Sequence, residues 1–366
     1  MKLFVFFPKD SEAVFNRNSN RTFGGATIHL YQFAKELHHY DNIEILSLIP
    51  NYSKIDFDDE KFFNLHKLYN EKDNAIVKFY KFHKFSKSEK PDFIIQLGLT
   101  AFSCILALYC FLRKINFVFM FAHDVESLGF YQNKRKKSVL FPIIIKFAKV
   151  LITQNNIEKE NLLKKYAELK NIRVLQKGID FTKLSKNTKK KFDIIWIARC
   201  EPWKNVEAYL ELAKLNPLKS FLLICPSCKG KEDYFNSIRE KAGHLRNIDF
   251  RDFIPYEKVY ETISLARIMC VTSDSEGDWP LTVLEGTAMG LPVLSYSFNY
   301  GKLIDEYNGG FFCGNSIDEL NKYFNMLISE NKLLENYSSN AKRFALENHD
   351  IKTNTKLLIN YLSEFL

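Results

Sequence analysis

The sequence predicts an α/β protein made of two doubly wound parallel sheets, one in each half of the chain. Three observations carry this. At 366 residues the chain is longer than one α/β core needs, and two domains of about 180 residues each is the natural division. Short apolar runs bounded by turn residues alternate with stretches of helical spacing, the pattern of a parallel sheet covered by helices. After a lysine-rich run, 183–191, the pattern restarts at Phe192-Asp193-Ile194-Ile195-Trp196-Ile197, so the second half opens with a first strand of its own.

In the first half, 2–7 reads as the first strand, its apolar run being too short for a signal peptide. A polar loop then ends in Phe23-Gly24-Gly25-Ala26, before helical spacing over 27–38. A glycine pair between strand and helix lets a ligand approach the backbone closely; a plain turn is the other reading. The runs 43–48, 93–97 and 115–121 are further strands. The last delivers Ala122-His123-Asp124-Val125-Glu126, so His123 stands at the carboxyl end of a strand, where open α/β sheets place ligands. A hydrogen-bonded core histidine is the alternative. A strand at 150–155, a helix at 157–166, a strand at 173–176 and the turn Lys177-Gly178-Ile179-Asp180-Phe181 close this half.

The second half is organised around one stretch, 273–292. The apolar run 268–271 suits a buried parallel strand, and the loop after it turns into a helix expected over 279–289. Asp278 is the expected N-cap, Pro280 lies in the first turn, and Gly290 with Pro292 ends the helix. Such a strand, loop and helix aim free backbone N–H groups, around Trp279, Pro280, Leu281 and Thr282, and a positive dipole end at one point, which suits a phosphate. Glu276 before the turn and Glu285 within the helix are then placed to hold neutral hydroxyls beside it. Phosphate and hydroxyls together indicate a sugar nucleotide. Strands are also expected at 221–225, 248–251 and 293–296, a turn at 307–311, and helices from 317 to the end.

These residues carry a family resemblance. Glu276 and the run Leu284-Glu285-Gly286-Thr287-Ala288-Met289-Gly290-Leu291-Pro292-Val293 resemble the paired-glutamate signature of retaining glycosyltransferases of the two-Rossmann-domain (GT-B) fold, family 4, the glycosyl transferases group 1. Eight residues rather than seven separate the two glutamates here, leaving Glu276 and Asp278 both open as the first acid. Ala198-Arg199-Cys200-Glu201-Pro202-Trp203-Lys204 resembles the stretch whose Arg and Lys neutralise the donor diphosphate in that family. A forked guanidinium and a point-charge ammonium suit a leaving diphosphate. The resemblance implies two Rossmann-like domains facing a cleft, an acceptor domain over 1–182, a donor domain over 183–348, and a last helix, 349–366, crossing back to the first domain. It implies Glu285 on the ribose, Glu276 on the donor sugar, His123 across the cleft, and Gly24 and Gly25 near the phosphates. The expected activity is transfer of a sugar from a nucleoside diphosphate sugar to a glycan or lipid-linked acceptor, in cell-surface polysaccharide or glycolipid synthesis. No cofactor or metal is expected. A sugar-nucleotide epimerase of the same fold and a non-catalytic sugar-nucleotide or membrane-surface binding module are the alternatives.

A formal charge of +9 favours an anionic partner. Two basic, aromatic-interleaved segments, 78–90 and 134–149, suit an anionic membrane surface, each Lys or Arg there contributing about 1 kcal/mol. A solvated helix face is the plain alternative. No nucleic-acid-binding pattern accompanies the charge. The longest uncharged apolar run, 101–112, is too short to cross a bilayer. Seven cysteines without a secretory signal suggest a reduced, cytoplasmic protein, peripheral on the membrane's inner face if the basic segments dock there. Cys225 and Cys228 read as strand-end thiols, since no second pair completes a zinc site.

Overall fold

The computed structural model describes all residues except 20–23, 53, 71, 123, 129–134, 185–188 and 275, and for 9, 124–125 and 135–140 the backbone alone. The chain forms two compact units, Met1–Gly178 with Ile351–Leu366, and Ile179–Asp350. The expectation from sequence had put the divisions after 182 and 348.

The first unit holds seven parallel strands: β1 (Lys2–Phe6), β2 (Glu44–Pro50), β3 (Leu65–Tyr69), β4 (Phe93–Leu97), β5 (Asn116–Met120), β6 (Val150–Thr153) and β7 (Ile172–Val174). Their order is β3-β2-β1-β4-β5-β6-β7, so the winding reverses between β1 and β4. Every residue of β4 is buried, as a central strand covered on both faces requires. The core is strongly aromatic, with Phe6 edge-on to Phe82 and Phe102, and Phe15 ringed by Phe7, Tyr31, Phe57 and Phe63. Strand β3 was not expected from sequence: it lies at the sheet edge, where Leu-His-Lys-Leu-Tyr is only partly covered and lacks a continuous apolar run.

The helix Ile351–Ser363 belongs to this unit. Asn354 donates to the carbonyls of Gln176 and Lys177, both at 3.2 Å, and Tyr361 donates to that of Val174 at 3.0 Å. Arg173 pairs with Glu364 and lies over the rings of Tyr361 and Phe365. Gly178 lets the two passages of chain approach closely: a Cβ there would lie 3.0 Å from the Ile351 Cα.

The second unit repeats the plan with β8 (Phe192–Ile197), β9 (Phe221–Ile224), β10 (Ile248–Arg251), β11 (Ala266–Val271), β12 (Val293–Ser295) and β13 (Gly310–Phe312), ordered β10-β9-β8-β11-β12-β13 and all parallel. Its winding reverses between β8 and β11, so the loops leaving these two neighbouring strands emerge side by side. The residues read as a turn near 307–311 include the start of β13.

Candidate active site

The loop after β8 runs through Arg199 and Cys200 into a short 3-10 turn, Pro202–Lys204. Asn205 follows in the left-handed conformation (φ +48°), which asparagine tolerates better than most residues, and the chain re-enters a helix at Val206–Leu215. This loop is stitched to the one after β11. Thr272 Oγ1 accepts from Trp196 Nε1 and donates to the Lys204 carbonyl, both at 2.8 Å, while the Asp274 N–H donates to the Trp203 carbonyl at 2.9 Å.

The stitching brings Lys204 and Glu276 together. The ammonium and the Glu276 carboxylate form a buried ion pair, and Ser273 Oγ donates to the same carboxylate oxygen at 2.7 Å. The ammonium also lies over the Trp203 ring, 3.9 Å from its centroid. Burial holds the Lys204 pKa below the ordinary lysine value, offset in part by Glu276. Removing one partner of such a pair leaves an uncompensated charge, at a cost of about 3–5 kcal/mol. Arg199 precedes this pair on the same loop, half-exposed, with Glu201 as its partner at 3.0 Å.

An aromatic cluster fixes the turn after Glu276. The Glu276 N–H donates to Tyr300 Oη at 2.9 Å, and Tyr300 packs on Phe298 and Trp279. Trp279 is itself buried. The helix that follows is Leu281–Ala288, two residues later than expected at its start, and its N-cap is Pro280, not Asp278. Pro280 has extended backbone angles and its carbonyl accepts the first helical bonds, from Val283 and Leu284. The carboxylate of Asp278 therefore stands too early in the chain to cap it. The other end was legible: Gly290 is left-handed (φ +78°), its N–H donates to Thr287, and the Leu291 N–H reaches back to Gly286, the bond pattern of a glycine-terminated helix. Thr282 donates its hydroxyl to the Ile197 carbonyl at 3.3 Å, tying the helix start to the end of β8.

Glu285 lies inside this helix, fully buried, and burial pushes its pKa up to about 8, against the smaller opposing effects of a Tyr260 hydrogen bond and the Lys183 charge. Cys200 and Cys225 hydrogen-bond through their thiols, with half-buried Cys228 beside them. Among the described residues no group of three or more His, Cys, Asp or Glu is arranged to hold a metal ion.

In the first unit, Gly24 precedes the helix Gly25–Leu37, and Asp10 shapes this approach by accepting from the Gly24 N–H at 3.0 Å and the Thr27 hydroxyl at 2.8 Å. His123 lies outside the described residues. Its neighbour Glu126 is buried and accepts from the N–H groups of Leu99 and Ala122, both at 2.9 Å, joining the loops after β4 and β5. Sequence reasoning missed Asp10, Glu126, Ser273 and Tyr300, whose partners are 3 to 27 residues away. Of these, Ser273 and Glu126 were foreshadowed, by their places in the central stretch and in the pentad that follows β5.

The fold defined by these two sheets is that of GT-B glycosyltransferases. It superposes on Anabaena HepE, crystallised in complex with UDP-glucose, with a TM-score of 0.77 over 100% of each chain at 16% identity. Sucrose-phosphate synthase from Thermosynechococcus elongatus gives 0.79, covering 100% of this chain and 98% of that one at 12% identity. A UDP-GlcNAc 2-epimerase from Neisseria meningitidis, also covered end to end, gives a lower 0.62 at 16% identity. In sequence, residues 178–344 match the family model of glycosyl transferases group 1, a span that lies almost wholly in the second unit. An uncharacterized glycosyltransferase of Methanocaldococcus jannaschii is 25% identical over 91% of this chain and 93% of its own length. Another, of Haemophilus influenzae, is 31% identical over 28% of this chain and 32% of its own.

Proposed function

We propose that the protein is a retaining glycosyltransferase of family 4 that takes a sugar from a nucleoside diphosphate sugar and passes it to a glycan or lipid-linked acceptor. The observation that carries the reading is the meeting of Lys204 and Glu276, from loops 72 residues apart, within the stretch that matches the family. In the reaction the bond from the anomeric carbon to the diphosphate breaks, its electron pair leaves on the diphosphate, and a bond to an acceptor oxygen forms as that hydroxyl's proton passes to the departing diphosphate. Charge therefore develops on the leaving group. Arg199 and Lys204 neutralise it, aided by the N-terminus of the helix Leu281–Ala288; preorganised donors of this kind each contribute about 2.7–4 kcal/mol in other enzymes. Glu276 accepts from hydroxyls of the donor sugar, and Glu285 from the ribose. Gly24, Gly25 and His123 are the first unit's candidates for contacts to the donor. Crystals of Anabaena HepE with UDP-glucose support uridine diphosphate as the first nucleotide to try.

The test is turnover of UDP-glucose and other sugar nucleotides. Slow donor hydrolysis without acceptor, lost in Glu285→Gln and in Arg199→Ala, is the expected result. The likeness to the 2-epimerase gives the second reading its footing. Isomerised donor in the absence of acceptor would establish that reading, and binding without turnover of any donor would leave a binding module.

A further inference from the structure

The helix Ala101–Arg113 has no charged residue before Arg113, and its outward face is apolar: Leu108 is 43% exposed, Phe111 59% and Leu112 69%. A helix on a globular surface ordinarily turns polar residues outward. The neighbouring helix Ala75–Glu89 continues the feature, with Ile76 at 76% and Tyr80 at 68%. The two helices are locked together by Tyr109, whose ring packs against Phe79, Phe82 and His83, and Phe111 packs on Phe147 of the next helix, Arg135–Phe147. Apolar exposure thus continues across neighbouring helices that pack on one another. Exposed Lys84, Lys87, Arg113, Lys114 and Lys146 lie on or at the ends of the same three helices. Glu89 is the only acid on the three helices, and Lys2 engages it at 2.6 Å.

We propose that this surface seats the first unit on an anionic lipid bilayer, with Leu108, Phe111 and Leu112 entering the headgroup and acyl boundary and the basic rim holding the phosphates. Charge selects this occupant. A second copy of the chain would oppose a basic rim to a basic rim with no free acid to pair, whereas anionic headgroups complement it at every point. The helix lies in the plane of the membrane; among the described residues none is long and apolar enough to cross one. Of the two basic segments read from the sequence, 78–90 contributes Lys84 and Lys87 and 134–149 contributes Lys146, the side chains of 134–140 lying outside the described residues; the apolar centre comes from 101–112, a run that sequence alone had only excluded as a spanning helix. That a lipid-linked acceptor is met there rests on the transferase reading; the binding itself does not.

The experiment is co-sedimentation of the full chain with phosphatidylcholine vesicles, pure or containing about a third phosphatidylglycerol. Wild type should favour the anionic vesicles by about tenfold or more at low salt and lose that preference as salt rises. The triple change Leu108→Ser, Phe111→Ser, Leu112→Ser should lower partitioning by about tenfold or more, and Lys84→Ser, Lys87→Ser, Lys146→Ser by about fivefold per charge. The native tryptophans, Trp196, Trp203 and Trp279, all lie in the second unit, so a Leu112→Trp probe reports on the first; brominated lipid should quench it. Equal binding to neutral vesicles, an apolar variant that binds like wild type, or an unquenched probe would each overturn the proposal. A dimer that the apolar variant dissolves, without vesicle binding, would make a second copy the occupant instead. Donor hydrolysis followed in the same samples keeps the two readings apart: turnover that persists while vesicle binding fails rejects the surface alone.

Discussion

The two units are wound in the same strand order over their first six strands, yet they use acidic side chains at their switch points in opposite ways. In the first, Asp10 and Glu126 are satisfied by N–H and hydroxyl groups of their own and adjoining segments, so they shape backbone. In the second, Glu276 faces Lys204, and the two form a buried ion pair across loops. The shared scaffold alone does not bring opposite charges together. What distinguishes the second unit is a pair of opposite charges held buried by a frame of neutral hydrogen bonds, from Thr272, Ser273, Trp196 and Tyr300.

The comparison is most easily broken at Glu276. Glu276→Ala should lower sugar transfer by at least a hundredfold, the scale of about 2.7 kcal/mol, while Asp278→Ala should leave most of it. A loss confined to Asp278→Ala would move the donor-sugar role there, since the spacing of the two glutamates allows either. Glu276→Ala also leaves Lys204 buried and without this partner, so its folding is to be checked by its urea midpoint; in the first unit the expected loss is of stability alone. Glu126→Ala strands two buried N–H groups and should lower unfolding free energy by about 2–3 kcal/mol in urea titrations, leaving the affinity for uridine diphosphate unchanged. A fall in that affinity without loss of stability would erase the contrast between the units.

A pH dependence is expected at Glu285, whose carboxyl pKa is pushed up to about 8 because burial strips it of water. The folded chain keeps a proton that the unfolded chain releases. This contribution to stability is full below pH 4.5 and is lost as pH rises to about 8. Ribose hydroxyls favour the carboxylate, so affinity for UDP-glucose should rise with pH over the same window, by at most about tenfold per unit. Glu285→Gln should flatten both profiles; a variant with unchanged slopes would assign the proton elsewhere.

The parts of this molecule that were legible in the sequence are those fixed by local chemistry. Strand β8 falls on the apolar run that announced it, and Gly290 ends its helix as a left-handed glycine must. The stretch resembling the family signature could be singled out because its residues cluster along the chain, and it lies within the span that matches the family model. The start of the same helix was misread because Asp278 has the right side chain in the wrong place, and Pro280 sets the boundary through its backbone. Strand β3 escaped because pairing to β2, rather than its own pattern, makes it a strand. The roles of Tyr300 and Glu126 are set by tertiary hydrogen bonds that no local spacing encodes. The apolar outer face of 101–112 could be recognised only once the structure showed which side of the helix the core leaves uncovered.

The most direct test of the donor-site account is a calorimetric comparison of uridine diphosphate with uridine monophosphate on wild type, Arg199→Ala and Lys204→Ala. Arg199 is half-exposed, and its pairing with Glu201 contributes little to stability, so its variant should fold normally. Lys204→Ala loses a buried partner and is to be checked for folding by its urea midpoint. The account predicts that each variant loses affinity for the diphosphate by about tenfold or more while binding the monophosphate nearly as wild type does, as removal of a charge-assisted contact to the second phosphate requires. Equal losses for the two nucleotides, or none for either, would contradict it.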